Sequence, residues 1–138
     1  QGRVIIDMIE AYASNNKGRV LVKPSLGLLR YISALHYVGA VVGNSSSGII
    51  EVPSMHIPTV NIGMRQQGRM ASESVIHCGD DSASIVDAIK LALSQEGRAK
   101  AQIASNPYCK DNTLQLIVEA IATTPLDSLK RKSFYDLK

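Results

Sequence analysis

Residues 39–51 read GAVVGNSSSGIIE and are the segment that most clearly indicates the fold class of this chain. Residues 39–43 are apolar throughout, which is typical of a strand covered on both faces in a parallel sheet. Three serines follow directly, and residues 48–52 are predicted to form the first turns of a helix, which stops before Pro53. A buried strand that leads through a short loop of small residues into a helix is the repeating unit of an α/β protein.

The same alternation extends to both sides of this segment. Other strands are predicted at residues 19–22, 57–62 and 75–78, which makes four strands with the first. Helices are predicted at residues 4–12, 26–37, 85–93, 98–105 and 113–124, with Gly97 interrupting one pattern and Pro125 ending the last helix. The expected fold is a Rossmann-like parallel sheet with helices on both faces and right-handed crossovers.

Composition narrows the functional classes. The chain has 138 residues, the size of one domain, and its 45% hydrophobic residues suffice for a packed core. Aromatic residues make up only 4% and Trp is absent, which argues against a stacking platform for single-stranded nucleic acid. The net charge of +3 is compatible with an anionic small ligand but does not by itself favour DNA or a membrane. No apolar run approaches the roughly 20 residues of a membrane span. Two cysteines without metal-ligand spacing predict free thiols in a reducing cytoplasm.

The strongest chemical signal is the loop of residues 43–48. Small residues let a ligand approach the backbone, and amides at a helix start favour an anion such as phosphate. The hydroxyls of Ser45, Ser46 and Ser47 add donors, and Glu51 is placed to accept hydrogen bonds from a ribose diol. An ordinary capped, serine-rich turn explains these residues equally well on local chemistry alone.

A second signal follows the strand predicted at residues 57–62. Arg65 and Arg69 flank a glycine-bearing turn, and two guanidinium groups can bind phosphate oxygens with fork geometry. The alternative is a solvated basic loop. Because ligands of parallel sheets bind at the carboxyl ends of the strands, the position of this loop favours binding.

Several other chemistries are disfavoured by spacing. No Lys follows Gly48 as a P-loop requires, and the serines form no G-x-S-x-G elbow. None of the three histidines, His36, His56 and His77, is placed on a helix within reach of another likely metal ligand, so no metal site is expected. The carboxylates form no catalytic pair. The sequence therefore offers an anion-binding half-site without an evident acid and base.

These motifs together resemble one known family. Residues 42–54 (VGNSSSGIIEVPS), 58–63 (PTVNIG) and 65–69 (RQQGR) are similar to the hydrolysing UDP-N-acetylglucosamine 2-epimerases of sialic acid synthesis. Residues 24–27 (PSLG) and 106–108 (NPY) match the same family. The resemblance covers about residues 17–124 and is specific because the motifs occur in combination.

The resemblance implies a GT-B arrangement, in which two Rossmann-like domains enclose a cleft, and this chain is similar to the C-terminal, nucleotide-binding half. Residues 1–124 would form a UDP-binding domain that lacks its N-terminal part, and residues 125–138 a basic amphipathic tail. The implied partners are a UDP-sugar and the missing N-terminal domain, in a cytoplasmic enzyme that could be a homo-oligomer. Neither nucleic acid nor a membrane is implied.

The resemblance also assigns roles to residues. Ser45 and Ser46, with Ser47 beside them, would bind the diphosphate, and Glu51 would hold the ribose hydroxyls. Arg65 and Arg69 would face the phosphates and the sugar, with Arg65 assisting catalysis, and residues 23–27 would lie near the uracil. The acid and base would lie outside this chain. The family reaction eliminates UDP and then adds water, which yields N-acetylmannosamine without a cofactor.

Three alternatives remain open on the sequence. The parent enzyme could act on a diacetamido UDP-sugar, or it could be another GT-B glycosyltransferase. A non-catalytic nucleotide-binding module is a third option, because no base is recognised here. Four strands are few for a doubly wound sheet, and the sequence begins with Gln1 inside a helical pattern. We therefore expect the chain to be part of a longer protein.

Overall fold

The computed structural model describes residues 2–125 and shows helices arranged around a parallel sheet. The predicted tail lies outside the described residues from residue 126 onward. In chain order the elements are α1 (Gly2–Asn15), α2 (Gly27–Leu35), β1 (Val41–Gly43), α3 (Ser47–Ile50), a 3-10 turn (Val52–Met55), β2 (Thr59–Ile62), β3 (Val75–Cys78), α4 (Ser82–Leu93), α5 (Gln95–Ile103) and α6 (Thr113–Thr123).

The sheet has the order β1-β2-β3, and both strand pairs are parallel. Three of the predicted strands and the α/β fold class are thereby confirmed. The strand predicted at residues 19–22 is wrong, because residues 20–23 are irregular and Leu21 is largely exposed. An apolar run becomes a buried strand only where a neighbour pairs with it and covers it. No described strand lies beside this run.

Helices cover both faces of the sheet because the side chains of β2 alternate. Val60 is fully buried and packs against Ala88 and Ala92 of α4, whose small side chains let the helix approach closely. Thr59 points to the opposite face and meets α3. A Cβ added to Gly48 there would lie 2.7 Å from the Thr59 Cγ2, so α3 depends on a glycine at this contact.

The chain between β1 and β2 is more continuous than predicted. The helix was expected to stop before Pro53, but a 3-10 turn takes over directly after α3 and includes this proline. Proline is compatible with the first turn of a helix, because its missing N–H would have no partner there. The turn buries Val52 beside Leu35 and Ile57, which form a second apolar cluster.

The helices α4 and α5 are separated by a cap, not by a glycine. Asp81 begins α4 by accepting a hydrogen bond from the Ser84 amide at 2.9 Å, and Ser94 begins α5 by accepting from the Gly97 amide at 3.0 Å. The predicted interruption at Gly97 is wrong, since this residue lies inside α5. A Cβ at Gly97 would collide with the Leu91 carbonyl oxygen, so glycine permits the close contact between the two helices.

The two end helices differ from the rest of the described chain. Neither α1 nor α6 contains a buried residue, although both carry apolar residues at helical spacing. Among residues 2–125, no helix combines the length and the apolar character needed to cross a membrane.

Candidate functional site

Three loops leave the sheet at the same edge because all strands run parallel. Residues 43–48, here called the serine loop, follow β1, and residues 63–69, the arginine loop, follow β2. Residues 79–81 follow β3 and lead into α4. The carboxyl ends of the strands are where open α/β sheets bind ligands.

The serine loop is held by its own hydrogen bonds. The Ser45 Oγ accepts from the Ser47 amide at 3.3 Å, and the Ser45 carbonyl accepts from the Gly48 amide at 3.2 Å. The Ser47 hydroxyl shares a 2.6 Å hydrogen bond with the Tyr31 hydroxyl of α2. Ser45 is exposed and Ser46 is half-buried. Ser45 is thus exposed with its side-chain oxygen hydrogen-bonded within the loop, while Ser47 joins the loop to α2.

A cavity of about 240 Å³ lies beside this loop. Thr59 belongs to its lining, and the Thr59 Oγ1 is buried without a hydrogen-bond partner among the described residues. A buried hydroxyl without a partner is costly, so this atom is an unsatisfied polar group close to the cavity. The other lining residues are Tyr31, Val41, Val42, Gly43, Asn44, Ser45 and Gly48.

The arginine loop turns its cationic side chains outward. The Gln67 amide donates to the Met64 carbonyl at 3.0 Å, and the Arg69 amide donates to the Gln66 carbonyl at 3.3 Å. Gly68 takes a positive φ of 81°, which glycine adopts without strain. Arg65 and Arg69 are both exposed.

Gln66 points inward from the same turn and reaches the serine loop. Its Nε2 donates to the Asn44 carbonyl oxygen at 2.8 Å across 22 residues of sequence. The two loops predicted to bind one ligand are therefore in direct contact. Sequence reasoning missed Gln66, because nothing distinguishes a buried glutamine from an exposed one in a polar segment.

A recess of about 270 Å³ opens beside the arginine loop, lined by Gly63, Met64, Gln66, Gln67, Gly68, Arg69 and His77. The Asn61 Nδ2 lies 3.0 Å from the His77 Nδ1. This hydrogen bond joins the side chains of the neighbouring strands β2 and β3 beside the recess. Arg65 is exposed and is not part of this lining.

Glu51 follows the serines by one helical turn, and its amide donates to the Ser47 carbonyl at 2.9 Å. It is exposed at the end of α3 and lines a different recess, of about 400 Å³, together with Ser54, Asn106, Tyr108 and Lys110. The predicted site residues therefore lie beside three different recesses. Ser45 lines the cavity beside the serine loop, Arg69 lines the recess beside the arginine loop, and Glu51 lines the third recess.

The segment of residues 106–108 fastens this third recess. The Asn106 Nδ2 donates to the Ile50 carbonyl at 2.8 Å and to the Ser54 Oγ at 2.6 Å. The Tyr108 hydroxyl donates to the Met70 carbonyl, just past the arginine loop, at 3.0 Å. These residues were recognised only through a family resemblance, and the asparagine–proline turn signal gave no indication of their contacts.

The electrostatics of the strand ends are simple. Among residues 2–125 the one ion pair joins Lys90 to Asp87 at 3.6 Å on the surface, so Arg65 and Arg69 face no carboxylate. Hydrogen bonds from Ser84 hold the pKa of Asp81 below its usual value. Burial, and next the Asp81 charge, raise the pKa of the Cys78 thiol, which favours its neutral form.

Both cysteines are free thiols, Cys78 half-buried and Cys109 exposed. Within the described part of the chain, no three His, Cys, Asp or Glu side chains converge on a point where a metal ion could bind.

Comparison with known proteins assigns the chain to a protein family. The sequence model of the UDP-N-acetylglucosamine 2-epimerase family matches residues 1–122. The chain belongs to this epimerase family. The family resemblance of the sequence motifs is thereby confirmed.

Relatives of this epimerase-family chain come from several bacteria. The polysialic acid biosynthesis protein P7 of Escherichia coli is 34% identical over 97% of this chain and 34% of its own length. A GDP/UDP-N,N'-diacetylbacillosamine 2-epimerase (hydrolyzing) of Campylobacter jejuni is 31% identical over 99% of this chain and 35% of its own length. A UDP-N-acetylglucosamine 2-epimerase of Neisseria meningitidis is 37% identical over 51% of this chain and 19% of its own length.

The chain thus spans about a third of the length of the first two relatives that it matches. It aligns with one part of each of these relatives, and the described strands, loops and recesses correspond to that part.

Proposed function

We propose that the chain is the nucleotide-sugar-binding part of a hydrolysing UDP-N-acetylglucosamine 2-epimerase. The whole enzyme would convert UDP-N-acetylglucosamine into N-acetylmannosamine and UDP for the synthesis of sialic acid or a surface polysaccharide. Such an enzyme would work in the cytoplasm, without a cofactor, and would join this part to an N-terminal domain. Family membership and the names of the relatives support the reaction class.

The observation that carries the proposal is the direct contact between the serine loop and the arginine loop. Ser45 and Ser46 supply hydroxyl and amide donors, and Arg65 and Arg69 supply guanidinium groups that no described carboxylate neutralises. A diphosphate can accept charge-assisted hydrogen bonds from both kinds of donor. Helix α3 is a single turn and adds little dipole, so the side chains and loop amides provide most of the binding.

The proposed division of labour leaves chemistry to the rest of the enzyme. An arginine keeps its proton and cannot serve as the base that removes a sugar proton. Glu51 is assigned to the ribose hydroxyls, in its recess beside Asn106. The acid and base are therefore proposed to lie outside this chain, with Arg65 in an assisting role.

A related substrate is the second candidate. Relatives from Campylobacter jejuni and Legionella pneumophila, both 31% identical, carry names of diacetylbacillosamine 2-epimerases. These names favour a diacetamido UDP-sugar as the alternative. The nucleotide half would be shared by both reactions, so the two candidates differ in the sugar and not in the UDP contacts.

Calorimetric titration of the 138-residue chain with UDP and with uridine tests the proposal. The wild-type chain should bind UDP. The Ser45→Ala, Ser46→Ala double variant should bind UDP at least tenfold more weakly, since a hydrogen bond to a charged group contributes about 1.5–3 kcal/mol. Uridine affinity should not change. Ser33→Ala, an exposed helix serine, is the matched control. Equal UDP affinity in wild type and double variant would refute the phosphate assignment.

The same titrations extend to Glu51 and to turnover. Wild type should prefer UDP to its 2′-deoxy analogue, and Glu51→Gln should discriminate less, because it lacks the carboxylate that accepts ribose hydrogen bonds. Incubation with UDP-N-acetylglucosamine should release no N-acetylmannosamine. Turnover that Arg65→Ala abolishes would place the base within these residues and contradict the proposed division.

A further inference from the structure

Gln66 is the most deeply buried polar side chain of the arginine loop, with 3% of its surface exposed, while Arg65 and Gln67 on either side are exposed. Its Nε2 donates to the Asn44 carbonyl oxygen at 2.8 Å. Its Oε1 is buried and has no hydrogen-bond partner among the described residues. The amide is therefore half satisfied.

The orientation of this amide follows from its partner. The Asn44 carbonyl can only accept, so the nitrogen of Gln66 must face it, and a flipped amide would bring two acceptors together. The flip would also leave the nitrogen without this acceptor. An apolar side chain of similar size would remove the unpaired buried oxygen as well as the bond to the Asn44 carbonyl. These two changes have opposite effects on stability, so stability alone does not explain the residue.

The position of the contact supplies an explanation. Asn44 directly precedes Ser45, so the bond fixes the backbone from which the outward-facing serine projects. On the other side, Arg65 directly precedes Gln66, and the Arg69 amide donates to the Gln66 carbonyl. The inward side chain of Gln66 thus sets where both guanidinium groups leave the turn.

We infer that Gln66 is a positioning residue that holds the serine loop and the arginine loop in register for one diphosphate. This inference rests on the proposed function for the identity of the ligand. The hydrogen bond from Gln66 to Asn44 itself involves only residues of this chain. Gln66 need not touch the phosphates. It sets the distance between the hydroxyl and amide donors on one loop and the guanidinium donors on the other.

The first test needs no ligand. Gln66→Met keeps the size and removes both the bond to Asn44 and the unpaired oxygen, and Gln67→Met is the exposed control next to it. Amide hydrogen exchange at Ser45 and Ser46 should accelerate about tenfold in Gln66→Met and stay unchanged in Gln67→Met. The midpoint of denaturant unfolding should stay the same or rise. Unchanged exchange, or a Gln66→Met chain that does not fold, would overturn the inference.

The second test uses UDP and uridine. Gln66→Met should lose about tenfold in affinity for UDP and nothing for uridine, because only the phosphates span both loops. A residue that merely stabilised the fold would lower the unfolding midpoint and weaken both ligands. UDP affinity equal to wild type would overturn the inference. A wild type that binds UDP no better than uridine would refute the proposed function instead, and the exchange measurement would still decide the role of Gln66.

Discussion

The middle of the chain and its two end helices follow the same sequence rule with opposite structural results. Helix α4 places Ala88 and Ala92 against Val60 of the central strand, and all three are buried. Helices α1 and α6 carry apolar residues at the same spacing, yet Met8 remains 67% exposed and Leu114 76%. Helical periodicity therefore predicts a helix, but it does not predict which part of the protein covers the apolar face of that helix.

The serine loop and the arginine loop belong to the covered part, whereas the recess of Glu51 is also lined by Thr113 of α6. The arginine loop follows β2, which is largely buried. The serine loop follows β1, where the expected cover on both faces is wrong, because Val42 is 46% exposed. The parallel pairing of β1 with β2 fixes the relative position of the two loops. Neither α1 nor α6 contributes a residue to the cavity beside the serine loop or to the recess beside the arginine loop. Three pairs of substitutions test the difference between the covered part and the end helices.

The largest expected effect is on stability in the covered part. Ile49 is fully buried in α3, and truncation to Ala should lower the free energy of unfolding by about 2–5 kcal/mol, through lost burial and the cavity left behind. Ile5 in α1 is 58% exposed, and Ile5→Ala should change it by less than about 0.5 kcal/mol. Urea denaturation measures both. Equal losses would show that α1 is covered as well as α3.

A smaller effect is expected from adding a methyl group. Gly97→Ala should lower the free energy of unfolding by about 1–3 kcal/mol, because the new Cβ would collide with the Leu91 carbonyl of the helix before it. Gly2 in α1 has open space around its Cα. Gly2→Ala should leave stability unchanged or raise it slightly. Thermal unfolding of the two variants compares them, and a neutral Gly97→Ala would contradict the close packing of α4 on α5.

The smallest effect concerns a helix cap and its dependence on pH. The folded-state pKa of Asp81 is lowered, so the stabilisation by its carboxylate is present above the unfolded value near 3.9 and is lost as pH falls through the folded value. Wild type should therefore lose thermal stability on acidification. Asp81→Asn keeps the accepting oxygen without the titrating charge.

Thermal unfolding at two pH values measures the contribution of the Asp81 charge. The decrease in Tm between pH 7 and pH 3 should be smaller in Asp81→Asn than in wild type, because the variant has no proton to take up at this position. Asp7→Asn in the exposed helix α1 should behave as wild type. Parallel pH profiles for wild type and Asp81→Asn would show that the cap does not depend on its charge.

The sequence predicts those features that depend on local pattern. The apolar run at residues 39–43 predicts β1, and the serines and arginines after two strands are correctly placed at one edge because parallel strands share a direction. The strand expected at residues 19–22 fails for the opposite reason: an apolar run has no fixed state until a neighbouring strand pairs with it. Family motifs added what pattern could not, the reaction class.

Contacts between distant residues are what the sequence does not predict. The hydrogen bond from Gln66 to Asn44 and the contacts of Asn106 with Ile50 and Ser54 join segments far apart in the chain. A glutamine or an asparagine in a polar loop carries no periodic signal. Only the packing of the sheet and its helices determines which of them points inward.

The hydrogen bond between Tyr31 and Ser47 has a consequence for how this family can diverge. The two hydroxyls lie 2.6 Å apart, and the third serine of the loop is therefore committed to α2 while Ser45 faces outward. Loss of either hydroxyl leaves the other without its partner, whereas loss of both removes the unmet demand. Natural variants should therefore exchange this serine and this tyrosine together, so that their frequencies across homologues are correlated while Ser45 varies with neither.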